Sequence, residues 1–76
     1  MGYTIELDAR GLEPPEPLVR VLAALDTLPA GDSLLLKIDC QPLPLYRILG
    51  RNGYVYEERP GNDSLFEITI RLRDST

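Results

Sequence analysis

Histidine is absent from this chain of 76 residues, and cysteine occurs once, at Cys40. Without histidine a zinc or haem centre lacks its usual ligands, and one thiol forms no internal disulfide. Carboxylates are present, but none stands in the Asp-x-Asp-x-Asp-Gly spacing of a calcium loop, so no metal and no cofactor is expected. A Ser-His-Asp set is impossible and no phosphate loop appears, which argues against an enzyme. Basic residues are also few. Lys37 and the seven arginines stand against 12 acids, for a formal net charge of −4. Nucleic acid and anionic membranes select a cationic footprint, and the scattered arginines offer none; Arg71 and Arg73 alternate as a solvated strand face does. Long apolar runs are missing as well. No stretch approaches membrane-spanning length, and Met1 to Glu6 shows no basic-then-apolar signal peptide. Glu6 stands where a myristoylation motif requires Ser or Thr. The expectation is a soluble, cytoplasmic protein, with a monomer as the default.

What remains is ordinary globular material. Apolar residues at 43% and charged residues at 26% describe a folded chain, and its length suits one domain over residues 1–76 with a barely sufficient core. Tyr3 to Asp8 alternates apolar and polar residues, the period of a half-buried strand. Between Pro15 and Leu28 the positions Leu18, Val21, Leu22, Leu25 and Leu28 make a helical stripe, stopped by Pro29-Ala30-Gly31. Ser33 to Asp39 alternates again, with Leu34, Leu36 and Ile38 on one face. A shorter helix from Pro42 to about Asn52 buries Leu45, Ile48 and Leu49, with Gly53 as its stop. Tyr54–Arg59 and Leu65–Arg73 are two strands of a hairpin around Pro60-Gly61-Asn62-Asp63-Ser64. The order is β-α-β-α-β-β. Strands with one apolar face each predict a two-layer α/β (α+β) sandwich: a mixed four-stranded sheet, both helices on one face and water on the other. If the first two strands are neighbours, the helical crossover makes them parallel and right-handed.

The turn between the first strand and the first helix carries a motif. Leu7, Asp8, Gly11 and Leu12 are followed by Glu13-Pro14-Pro15-Glu16-Pro17-Leu18. This resembles the active motif of the TusA/SirA-like sulfur-carrier family, Gly-Leu-x-Cys-Pro-x-Pro-Leu, with Pro14 in place of the cysteine. The resemblance runs from Ile5 to about Leu72 and implies the TusA/SirA-like fold, a mixed-sheet two-layer sandwich also found in the C-terminal domain of bacterial translation initiation factor three. Arg10-Gly11-Leu12-Glu13-Pro14-Pro15-Glu16-Pro17 and a later Pro-x-Pro-Leu-Tyr, here Pro42 to Tyr46, are similar to a cysteine-free branch of small uncharacterised bacterial domains. Members of that branch occur alone or beside haemerythrin-like domains.

In the sulfur carriers the motif cysteine bears a persulfide at a helix N-terminus, where free N–H groups and the helix dipole favour a thiolate. Pro14 cannot take sulfur. Pro14, Pro15 and Pro17 also remove backbone donors, and Glu13 and Glu16 add negative charge, so an anion site is disfavoured. The plainer reading is structural: the prolines set the helix entry angle and Glu16 complements the dipole. Cys40 follows the second strand, so in a parallel pair it emerges at the same edge as position 14. It is either a displaced sulfur acceptor or redox thiol, or a packed small hydrophobe, and nearby Asp39, Glu13 and Glu16 disfavour its thiolate. Tyr46, Tyr54 and Tyr56 read as core packing rather than a stacking platform for bases. Arg10, Arg47 and Arg51 form a possible basic corner whose ordinary partners are Asp8, Asp39 or Glu13. The expected role is a non-catalytic protein-interaction domain, whose contact edge comprises Asp8, Arg10, Glu13, Pro14, Pro15, Glu16, Asp39, Cys40 and Gln41. Its partner is another protein, and the resemblance points towards sulfur, metal-centre or respiratory metabolism. A divergent carrier on Cys40 is the alternative, and an RNA- or ribosome-contacting domain a weaker one.

Overall fold

A computed structural model of the chain describes residues 2–73. The element order is β1 (Thr4–Asp8), α1 (Glu16–Asp26), β2 (Ser33–Ile38), α2 (Leu43–Arg51), β3 (Tyr54–Pro60) and β4 (Phe66–Leu72). The sheet runs β1-β2-β4-β3, with β1 parallel to β2 and the other neighbours antiparallel. It is the mixed four-stranded α+β sandwich that the alternation of the sequence implies. Among the described residues no helix is long and apolar enough to cross a membrane.

Register explains the single core. Leu34 and Leu36 of β2 stand opposite Ile70 and Ile68 of β4, and all four are fully buried. Val21 and Leu25 of α1 and Leu45 and Leu49 of α2 join the same cluster, so both helices cover one face of the sheet. The helical stripe identifies that face, though not the depth of each residue. Pro17, Val21 and Leu25 are the buried positions of α1, while Leu18, Leu22 and Leu28 pack at its border.

Burial in β1 and the bounds of β4 depart from expectation. In β1 only Leu7 packs against the core; Tyr3 is 68% exposed and Ile5 46%. The alternation is real, but β1 lies at the sheet edge, where one flank of each side chain meets water. At the far end Leu65 falls outside β4 and is exposed, as is Leu72. Helix ends are also shorter than the apolar pattern. The Thr27 N–H turns back to the Ala24 carbonyl and the Leu28 N–H to the Leu25 carbonyl, closing α1, and Asn52 closes α2 by bonding the Ile48 carbonyl with both its backbone and its side chain. Gly53 follows at φ 78°, the left-handed stop after a helix that glycine adopts without steric cost. One buried polar group escaped notice in the sequence. The Asp32 side chain accepts the Tyr3 N–H at 3.1 Å and fastens the start of β1 beside β2.

Candidate functional site

Two loops meet at one edge of the sheet because β1 and β2 are parallel neighbours. The loop after β1 runs through buried Ala9, turns at Gly11 (φ 76°), and enters α1 through a cis Pro14–Pro15 bond. The loop after β2 passes Asp39, Cys40 and Gln41 and enters α2 at Pro42. Between the two helix starts lies a groove of about 350 Å³. Leu36 and Ile38 of β2 form its floor, with Val21 and Leu45 as the inner helix contacts. Its rim consists of Pro14, Pro15 and Pro17 on one side and Pro42, Pro44, Cys40 and Gln41 on the other.

The helices begin alike, with Pro15-Glu16-Pro17-Leu18 opposite Pro42-Leu43-Pro44-Leu45. In each the first N–H is taken locally: Glu16 donates to the Glu13 carbonyl at 2.9 Å, and Leu43 to the Gln41 carbonyl at 3.0 Å. The prolines at the next positions carry no N–H. Val19 and Tyr46 already bond the Pro15 and Pro42 carbonyls. Among the described residues one N–H remains at each helix start, on Leu18 and Leu45. A helix N-terminus ordinarily receives anions through several such groups. Here the supply has been removed twice over.

Charge around the edge is divided. Arg10 grips Asp8 with two bonds, Nε to Oδ1 at 2.9 Å and Nη2 to Oδ2 at 2.7 Å, and reaches the Asp63 carbonyl at 2.8 Å. That guanidinium, through its side-chain bonds above all, holds the Asp8 carboxyl far below the usual carboxylate range, and Asp8 in turn raises Arg10. Lys37 bridges Glu6 and Asp63, both at 3.2 Å, and its own pKa is raised by those bonds. Asp8 and Arg10 therefore tie the β1 loop to the β3–β4 hairpin and do not line the groove. Arg10 takes Asp8, one of its expected ordinary partners, and Asp63 as its ion-pair partners.

Of the residues singled out from the sequence, Pro14, Pro15, Cys40 and Gln41 come together in the groove wall. Glu13, Glu16 and Asp39 are exposed neighbours of wall residues in the chain, and Glu16 also pairs with Arg20 at 3.2 Å. Cys40 is exposed rather than packed. Sequence reasoning missed the matching wall from Pro42 and Pro44, whose signal was the repeated Pro-x-Pro-Leu. It also missed a small network behind Gln41. Gln41 Nε2 and the Tyr46 hydroxyl both donate to Glu58 Oε1, at 2.9 and 2.6 Å, while Tyr46 stacks on Tyr56 with ring centroids 4.0 Å apart. Those bonds lower the Glu58 pKa; burial, then the Glu58 hydrogen bond, raises that of Tyr46.

Residues 6–71 match the family model described as Uncharacterized conserved protein (DUF2249). The chain belongs to that family. Among solved structures, a SirA-like protein from Desulfitobacterium hafniense is similar at 26% identity and a TM-score of 0.70, over 92% of this chain and 99% of that one. No curated protein matches. The DUF2249 chain thus has the SirA/TusA-like fold that its motif suggests, with proline at the position of the carrier cysteine.

Proposed function

We propose that this DUF2249 domain is a non-catalytic interaction module that docks a partner protein across the groove between its two helix starts. One observation carries the reading: two Pro-x-Pro-Leu helix starts converge on an apolar floor at the carboxyl ends of the parallel strands. Loops at such ends are held by the scaffold yet open to a ligand. Among the described residues the groove wall holds no acid–base pair, and Gln41 in that wall is already engaged by Glu58. A photo-crosslinking residue at Gln41, introduced in the native host, should capture one defined protein. The same residue at Glu67, on the open face of the sheet, should not. Equal capture from both positions would remove the groove from the argument. Partners in sulfur, metal-centre or respiratory metabolism are suggested by the family resemblance alone.

The exposed thiol of Cys40 in the groove wall favours a second reading, a carrier that has moved its sulfur. In that reaction the Cys40 thiolate attacks the outer sulfur of a donor persulfide, and the donor leaves as its thiolate. Intact mass after incubation with a cysteine desulfurase and cysteine separates the two. A one-sulfur adduct that disappears in Cys40→Ser establishes the carrier, and an unchanged mass is the outcome expected here.

A further inference from the structure

We infer that the groove accepts an aliphatic side chain from a partner polypeptide whose flanking residues are basic, and that it rejects anionic groups. The inference rests on the docking role proposed above and specifies the chemistry of the occupant. Three independent observations point the same way.

The interior asks for an apolar group. Leu36, Ile38, Val21 and Leu45 offer no hydrogen bonds from their side chains, and a volume of about 350 Å³ lies at the small end of ligand sites, which span about 300–1,000 Å³. That room suits one or two aliphatic side chains better than a folded surface.

The entrance refuses an anion. Five wall prolines lack N–H groups, and the Glu16 and Leu43 donors close onto carbonyls of their own loops. An entering carboxylate or phosphate would shed its water and meet few donors, leaving its charge largely unmatched.

The surroundings favour a cation. Glu13 and Asp39 adjoin wall residues and form no ion pair among the described residues, while Glu16 is offset by Arg20. Nearby cations are already outnumbered: Arg10 faces Asp8 and Asp63, and Lys37 faces Glu6 and Asp63. Lysine or arginine on either side of the inserted side chain would meet Glu13 and Asp39, complementarity that speeds encounter and selects the partner.

The test uses the full isotope-labelled chain and four probes: blocked hexapeptides Lys-Lys-Leu-Leu-Lys-Lys, Gln-Gln-Leu-Leu-Gln-Gln and Glu-Glu-Leu-Leu-Glu-Glu, and inorganic phosphate. The basic peptide should shift the amide resonances of Leu18, Leu36 and Leu45 at the lowest concentration, the neutral one at higher concentration, and the acidic peptide and phosphate not at all. Replacing Glu13→Gln together with Asp39→Asn should weaken the basic peptide roughly two- to tenfold and leave the neutral one unchanged, with the remaining resonances reporting an intact fold. Equal or tighter binding of the acidic peptide or phosphate in the groove overturns this inference while docking survives. Basic-peptide shifts confined to the Glu6–Asp63 side also overturn it. Groove resonances that respond to none of the peptides overturn the inference and the docking role together.

Discussion

A methyl group added to Gly61 would run into the side chain and backbone of Ser64, the other shoulder of the β3–β4 turn. Gly61→Ala should therefore destabilise the protein by about 1–3 kcal/mol, the usual range for overpacking, as read by urea unfolding. Gly50 gives the opposite result. It lies in α2, with nothing near its absent Cβ, so Gly50→Ala should stabilise by about 0.5–1 kcal/mol through helix propensity. Glycine and proline announce a turn at 60–64 in the sequence; which of the turn's residues is sterically indispensable depends on a contact that only folding creates. Acid sensitivity also resides in individual residues. Arg10 lowers Asp8 below its ordinary 3.8, and the Lys37 hydrogen bond lowers Asp63. Each carboxyl binds a proton less readily folded than unfolded, so its stabilisation is complete above the ordinary value and lost as pH falls through the depressed one. Thermal melts should hold steady from pH 7 to about 5 and decline below about 4, and Asp8→Asn should flatten that decline. An unchanged acid profile in Asp8→Asn would show that the Arg10 pair contributes nothing.

Among the elements, β4 and α2, like β2 and α1, carry fully buried positions whose truncation leaves a void. Ile68→Ala and Leu49→Ala should each cost about 2–5 kcal/mol, a large share of the stability of so short a chain. Leu22→Ala should cost clearly less, because Leu22 packs at the border of the core. Equal losses at all three positions would mean that the border packs as tightly as the centre. These cases show what periodicity can convey. Spacing of Leu18, Val21, Leu22 and Leu25 gives the direction in which α1 faces, since that depends on the angle per residue alone. Depth depends on what arrives from elsewhere, and β1, with identical alternation, stays half-wet for want of a second neighbour. The candidate groove was legible in part for the same reason. The parallel crossover predicts that Pro14 and Cys40 share an edge, and Pro42 and Pro44 are visible as helix starters. Their closing of the opposite wall follows from how α1 and α2 pack side by side, which no local pattern encodes.

Across the whole molecule, the sheet order places β2 and β4 in the middle and β1 and β3 at the margins. Amide hydrogen exchange should find the slowest protons in Leu34–Ile38 and Phe66–Ile70, opening only with global unfolding, and faster exchange throughout β1. Uniform protection of all four strands would contradict a hierarchy set by position in the sheet. Fold class was accessible from sequence because every strand states its own apolar face and the helices state theirs, and one face per element admits few packings. The partner was not, because the recognition proposed for this edge depends on what the prolines withhold, and a missing donor leaves no periodic trace.

The phenol of Tyr46, bonded to the Glu58 carboxylate and stacked on Tyr56, has an optical consequence. With no tryptophan and four tyrosines, the chain's ultraviolet emission arises from phenols alone. A carboxylate at 2.6 Å and an overlapping ring both quench that excited state, so the native protein should glow dimly and brighten as denaturant separates the three groups. The same corner that steadies Gln41 at the groove thereby supplies a built-in lamp for following its own undoing.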